Sequence, residues 1–141
     1  MTGNRDRGAL ALELAVLAPA LLLVLAFLVA AGRVTLARGA VQAAARDAAR
    51  QASIARDAGS AQAAAYSAAV TTLASEHLDC VPQVSVDAAG LDVPAGQSGT
   101  VTATVACTLP LSVAAVPGIP GHLTETASFT SPVDPWRGRQ P

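Results

Sequence analysis

Few residues in this chain could do chemistry, and they lie in three places. Glu13 stands inside an apolar run, Glu76, His77, Asp79 and Cys80 sit close together, and Cys107 and His122 lie further on. On a helix Glu76 and Asp79 share a side, so a metal beside His77 is one reading. An exposed polar helix end explains the same residues. His122 falls in a Gly-Pro loop with no partner in view. The chain has no C-x-x-C motif for zinc or redox work, no phosphate-cradling glycine loop, no nucleophile motif and no triad. The expectation is therefore a protein that is not an enzyme, with no catalytic or metal-binding residue, no cofactor and no small-molecule substrate. A net charge of −1 over 141 residues gives no electrostatic attraction to nucleic acid.

Cys80 and Cys107 both follow the apolar run. An even pair in an exported domain reads as one disulfide; the alternative is two unpaired thiols in the cytosol. Closing that loop should contribute roughly 3–3.5 kcal/mol on the chain-entropy model. A small domain needs such help when aromatics are 3 % of the chain and much of its 52 % apolar content is alanine.

The elements that position these residues begin with "RGALALELAVLAPALLLVLAFLVAAGR", residues 7–33. Residues 9–31 are almost wholly apolar and as a helix reach roughly 35 Å, enough to cross a hydrocarbon core of about 30 Å. Pro19 removes a backbone donor, which predicts a kink or local loosening over residues 15–19. Arg33 closes the far end and can snorkel to the interface. Arg5 and Arg7 before the run and Arg33 and Arg38 after it barely decide orientation. The cysteines break the tie, because they need an oxidising side. That predicts a single-pass cell-membrane protein with its C-terminal region extracytoplasmic.

Three readings compete for the run. A cleavable secretory signal would cut at the small residues "VAAG", 29–32, near Ala31. A plain signal anchor leaves Glu13 without a purpose, although an ionisable residue at mid-membrane costs about 2.5–3.5 kcal/mol, less near an interface. The third reading accounts for both Gly8 and Glu13, because G-x-x-x-x-E is the pattern of a type IV prepilin. Cleavage after Gly8 would make Ala9 the new amino terminus and Glu13 the fifth residue. Residues four apart share a helix face, so the Ala9 ammonium and the Glu13 carboxylate would lie on one stripe at the membrane edge. In a stack of such helices one subunit's ammonium would neutralise its neighbour's Glu13, making Glu13 a register device for assembly.

The stretch resembles the amino-terminal signature of TadE-like proteins, minor pseudopilins of tight-adherence (Flp-type) pilus systems. The matching elements are Arg7-Gly8, Glu13, Pro19 and the Gly32-Arg33 close. The tail "SPVDPWRG", residues 131–138, is similar to the ending of actinobacterial members. Leu14 stands where major Flp pilins commonly carry an aromatic, which favours a minor pseudopilin. The resemblance implies export, processing by a prepilin peptidase, and partners among pilin-like subunits, pilus assembly proteins and membrane lipid.

Beyond Arg33 the chain stays helical in character, rich in Ala, Arg and Gln. Val34, Val41, Ala45, Ala48, Ala52 and Ile54 form a narrow apolar stripe. Either this is a solvated stalk, or its small side chains pack against other pilin-like helices. Asp47 can pair with Arg50. Gly59 suits a helix end and Ser60 a new cap, with a second helix over 61–78 whose apolar side holds Ala65, Tyr66, Ala69, Val70, Leu73 and Leu78. From Cys80 the period becomes two. "VTATVACTL" points Val101, Ala103, Val105, Cys107 and Leu109 to one face, "PQVSVDA" gives a shorter strand with Val84 and Val86 inward, and residues 123–132 give a polar edge strand. Residues 90–99 connect the first two as a hairpin, and "VPGIPG", 116–121, is a loop. Trp136 is either a clasp on the domain or a contact for a partner, and Arg137 and Arg139 are a solvated end.

The fold expected is α+β: a long N-terminal transmembrane helix continuing into an Ala-rich stalk helix, then a small antiparallel β-sheet cap with one disulfide. The boundaries are a cytoplasmic leader at 1–8, the span at 9–32, the stalk at 33–79, the cap at 80–132 and a tail at 133–141.

Overall fold

Leucine, alanine and valine dominate the first fifty residues, and the backbone settles as one α-helix, α1, over Arg5–Ser53 (49 residues). At about 1.5 Å per residue it is roughly 74 Å long. A computed structural model of the chain describes residues 5–110 and 121–136, with the side chains of α1 described from Glu13 onward. The helix runs on through Pro19, whose ring removes one backbone donor without ending it. Of the loop expected at 116–121 only Gly121 is among the described residues, and the basic residues Arg137 and Arg139 lie outside them.

The two halves of α1 differ in what covers them. From Leu14 to Val29 every large apolar side chain is exposed. From Ala37 onward the helix is the centre of a core. Ala37, Ala40, Val41, Ala44, Ala45, Ala48, Ala49 and Ala52 are buried, at the three- and four-residue spacing of one helix face. The stripe is thus wider than the sequence suggested, and it is not solvated. The chain's own second helix and sheet cover it. Val34 is only half-buried and Ile54, beyond the helix end, is exposed.

The second helix, α2, spans Ala58–Ser75 and buries Ala61, Ala65, Ala69 and Leu73, four residues apart along one line. It folds back along α1 as an antiparallel hairpin. Thr72 Oγ1 donates to Asp47 Oδ2 at 2.8 Å, so Asp47 is engaged across the hairpin. Alanine lines both sides of this contact, which lets the two backbones approach closely. Tyr66 and Val70, expected on the apolar side, are largely exposed because Ala65 and Ala69 occupy it.

The turn between the helices also departs from expectation. α1 stops at Ser53, whose hydroxyl bonds back to the Arg50 carbonyl at 2.8 Å. The cap of α2 is Asp57 rather than Ser60. Asp57 has extended backbone (φ −145°), its Oδ1 accepts from the Ser60 backbone N–H at 2.8 Å, and its own N–H donates to Ser60 Oγ at 3.3 Å. This reciprocal box places both candidate cap residues in one motif and leaves Gly59 inside the first turn. The bonds from Ser60 hold the Asp57 carboxyl below its ordinary value.

Three antiparallel strands follow: β1 (Gln83–Asp87), β2 (Gly99–Pro110) and β3 (His122–Val133), in the order β1-β2-β3. The alternation in β2 reads as expected: Val101, Ala103, Val105, Cys107 and Leu109 are buried beneath the helices. β3 pairs along the whole of β2, from Gly99 opposite Val133 to Pro110 opposite His122. His122 therefore opens a strand rather than standing in a loop. The outer face is a ladder of hydroxyls, with Thr102 against Thr130 at 2.9 Å, Thr104 donating to Ser128 at 3.1 Å and Thr108 against Thr124 at 3.0 Å.

Between β1 and β2 a 3₁₀ turn, Ala89–Leu91, lies directly on the start of β2. A Cβ at Gly90 would fall inside the Thr100 backbone, and one at Gly99 would meet the Gly90 carbonyl. Only glycine at both positions lets the connection cross its own strand at this separation. The result is two layers, helices on one face of a three-stranded sheet, sharing a core that runs from Ala37 to Val133.

Candidate functional site on the apolar half of the first helix

Gly8, Ala9 and Glu13 all lie within the first turns of α1, so the five-residue offset from Gly8 to Glu13 is spaced by a regular helix. Positions 9 and 13 are four residues apart along that helix. Glu13 is exposed, and beyond it Val16, Leu17, Leu21, Leu22, Leu23, Val24, Leu25, Phe27 and Leu28 are exposed too. Among the described residues none covers this surface. Its best 18-residue window has a mean hydropathy of 2.8 and none of it is buried. An apolar surface of this extent needs lipid or other helices around it.

The other residues with chemical potential are used by the fold. Cys80 and Cys107 form the disulfide, with Cα atoms 6.0 Å apart across a separation of 27 residues. Cys107 is wholly buried on β2 and Cys80 lies in the segment after α2, so the bond ties that segment to the sheet. His77 terminates α2. It has φ +57°, its N–H donates to the Ala74 carbonyl at 3.1 Å, and the Leu78 N–H donates to the Leu73 carbonyl at 3.0 Å. That is a Schellman ending with histidine where glycine is usual, and Leu73 and Leu78 both belong to the core beside it. Among the described residues, no group of three or more His, Cys, Asp and Glu side chains could hold a metal ion.

Several contacts escaped the sequence reading. Arg38 Nε bonds Glu125 Oε1 at 3.0 Å, tying α1 to β3; the Glu125 side chain is only 13 % exposed. The Arg46 guanidinium lies 5.9 Å from the centre of the Phe129 ring. Gln62 on α2 donates to the Val84 carbonyl at 2.8 Å and accepts from the Val86 N–H at 3.1 Å, so its amide occupies the free edge of β1 as a neighbouring strand would. A glutamine before an alanine run is the only signal of this last contact, and it has no fixed meaning. Trp136 is 84 % exposed, so it does not clasp the domain. The tail is held instead by its backbone, with the Gly96 N–H donating to the Pro135 carbonyl at 2.9 Å.

Among the described residues one helix is long and apolar enough to cross a membrane. With the disulfide-bonded unit at its far end, this defines a class: a small α+β domain carried on a single helix of membrane-spanning length. Residues 8–50 match the family model of TadE-like proteins, so the resemblance stated on the amino-terminal signature holds from Gly8 through most of the alanine stripe. The match covers the first helix and leaves the sheet unmatched. No curated protein and no solved structure matches it.

Proposed function

We propose that this chain is a minor pseudopilin, anchored by residues 9–32 and assembled side by side with other pilin-like helices through its apolar half, acting by assembly rather than catalysis. The observation that carries this reading is the position of Glu13. It heads a bare apolar helix, five residues after Gly8, within the stretch that matches the TadE-like family. A lone carboxylate there is a liability of up to a few kcal/mol. Cleavage after Gly8 would provide the compensating charge, because the Ala9 ammonium of one subunit can meet Glu13 of the next. A prepilin peptidase is the processing enzyme this requires. The C-terminal region lies outside, where Cys80 and Cys107 can oxidise.

Two measurements test this. Mass spectrometry of the amino terminus of the chain from its native membrane should find Ala9 first. Cross-linking in cells should then show that Glu13→Ala reduces multimers several-fold while the protein level is unchanged, since only paired copies gain from the charge. Unchanged multimers would remove the pairing mechanism.

A second reading has one observation in its favour. The buried core begins at Ala37, so release by signal peptidase near Ala31 would leave the whole α+β unit intact as a secreted binding or structural protein. A mature chain beginning at Gly32 would establish it. Against it stands the family match, which runs unbroken across residue 31.

A further inference from the structure

The sheet ends in two edges that the chain treats differently. At β1, five residues long, Gln62 donates to the Val84 carbonyl and accepts from the Val86 N–H, so that edge is closed. At β3, twelve residues long, no backbone group among the described residues pairs with the outer edge. In an antiparallel ladder every second residue points its N–H and C=O away from the partner strand, so β3 presents a row of open donors and acceptors. The usual guards of an edge are missing as well. The register with β2 runs one to one through all twelve pairs with no bulge, β3 has no Lys or Arg, and its one proline, Pro132, stands next to the end. We infer that β3 takes an added strand: an extended segment of another protein, with hydroxyl and β-branched side chains and a carboxylate on the side that faces α1.

Two features identify the occupant. The first is charge. A groove of about 310 Å³ lies between α1 and the middle of β3, lined by Gln42, Arg46, Thr126, Ala127, Ser128 and Phe129. Along this line Arg38 is matched by Glu125, whereas Arg46 has against it the Phe129 ring, which carries no charge. A guanidinium beside an open edge favours a strand with a carboxylate at that point. The other face of the added strand would continue the hydroxyl ladder of Thr124, Ser128 and Thr130. The second feature is direction. Arg38 bonds Glu125, Arg46 meets Phe129 and Ser53 bonds Ser131, so β3 ascends alongside α1. Two copies joined antiparallel by β3 would point their α1 helices opposite ways, which anchoring in one membrane does not allow. A parallel join would use the β1 edge of the second copy, since β1 and β3 both run against β2, and Gln62 closes that edge. The choice of another protein over a second copy rests on the membrane-anchored reading.

The full-length, disulfide-bonded chain in lipid nanodiscs can be given the blocked peptide Thr-Val-Thr-Glu-Thr-Val-Thr, with amide exchange read residue by residue. The alternation sends valine and glutamate to the helix side and threonine to the hydroxyl side. The peptide should slow exchange in β3 several-fold and leave β1 unchanged, because main-chain bonds to the open edge supply the affinity. The same peptide N-methylated at every residue cannot donate and should slow neither strand. Arg46→Glu should weaken binding about fivefold, and replacing the peptide's glutamate by lysine should restore it, which also shows that the variant is folded. No slowing in β3, equal slowing by the N-methylated peptide, or equal binding by the native chain and Arg46→Glu would overturn the proposal. So would slow exchange in β3 that needs no peptide and deepens as the protein concentration rises, since a second copy then holds the edge. Residues 1–31 take no part in these signals, so a mature chain beginning at Gly32 would remove the anchor and leave the peptide result standing.

Discussion

The two halves of α1 belong to one unbroken helix and obey opposite rules. Below Gly32 the side chains are large, apolar and exposed; above it they are small, apolar and buried. On the membrane-anchored reading leucine suits the lower half, because lipid fills any shape and bulk adds apolar surface without a need for fit. Alanine suits the upper half because α2 and the sheet press on it from two sides and the backbones must come close. Helix-forming tendency is high in both halves and does not separate them. What separates them is the cover: the chain itself close-packs the upper half, and on the membrane-anchored reading proposed above fluid lipid covers the lower.

The largest test of this contrast removes the staple in the unit that covers the upper half, between Cys80 and Cys107. Replacing both Cys80 and Cys107 by alanine should destabilise the α+β unit by about 3 kcal/mol, read as a lower midpoint in urea unfolding followed by circular dichroism. The helicity contributed by the lower half should survive the same titration in detergent. If both signals were lost together, the two halves would be one cooperative unit and the contrast would fail.

A sharper version stays on the helix. Ala48→Leu puts bulk into a wholly buried site between α1 and its partners and should cost about 1–3 kcal/mol. Leu22→Ala, an equal change of volume in the opposite direction on the exposed half, should leave the unfolding midpoint of the domain where it was. Equal effects from the two substitutions would show that the lower half contributes to the core after all.

A smaller effect lies at the end of α2. His77 sits in the left-handed region, where a side chain costs up to about 1–2 kcal/mol and glycine costs nothing sterically. His77→Gly should therefore raise stability, by about 1 kcal/mol or less once the extra freedom of glycine in the unfolded chain is counted. The gain should appear in the domain's unfolding midpoint alone.

The same contrast explains what was legible in the sequence. The lower half announced itself because residues 9–31, apolar throughout except at Glu13, have few other uses. β2 was equally plain, since Val101, Ala103, Val105 and Leu109 fell on one face, Thr102, Thr104 and Thr108 on the other, and Cys107 in phase with the first. The upper half was under-read because alanine is at home both in water and in a core. Whether Ala44 or Ala49 is buried depends on an α2 that ends far along the chain. In α2 itself Tyr66 and Val70 looked like the apolar side, but the close approach of the helices selects Ala65 and Ala69 and turns the bulk outward. His77 was weighed as a ligand because its side chain suggests chemistry, whereas its backbone angle carries its role. Gln62 was invisible for a related reason: its amide matters only because β1 arrives beside it.

The smallest expected effect concerns the hinge between α1 and α2. Asp57 accepts from Ser60 through backbone and side chain, and these bonds lower its carboxyl from the ordinary value of 3.8. A group held lower in the folded state binds fewer protons there than in the unfolded chain. Its contribution is therefore complete above about pH 4, where both states are ionised, and fades as acid carries the folded carboxyl through its own lowered value. Asp57 is fully exposed, so water screens much of the effect. Asn can still accept from the Ser60 N–H but cannot titrate. Asp57→Asn should leave the unfolding midpoint at neutral pH nearly unchanged and flatten part of its fall as the pH drops below the ordinary carboxylate range. Amide exchange in the first turn of α2 is the finest probe, because the cap should fray there first. The helical signal of the lower half of α1 has no share in that cap, so it should not respond to the substitution at any pH.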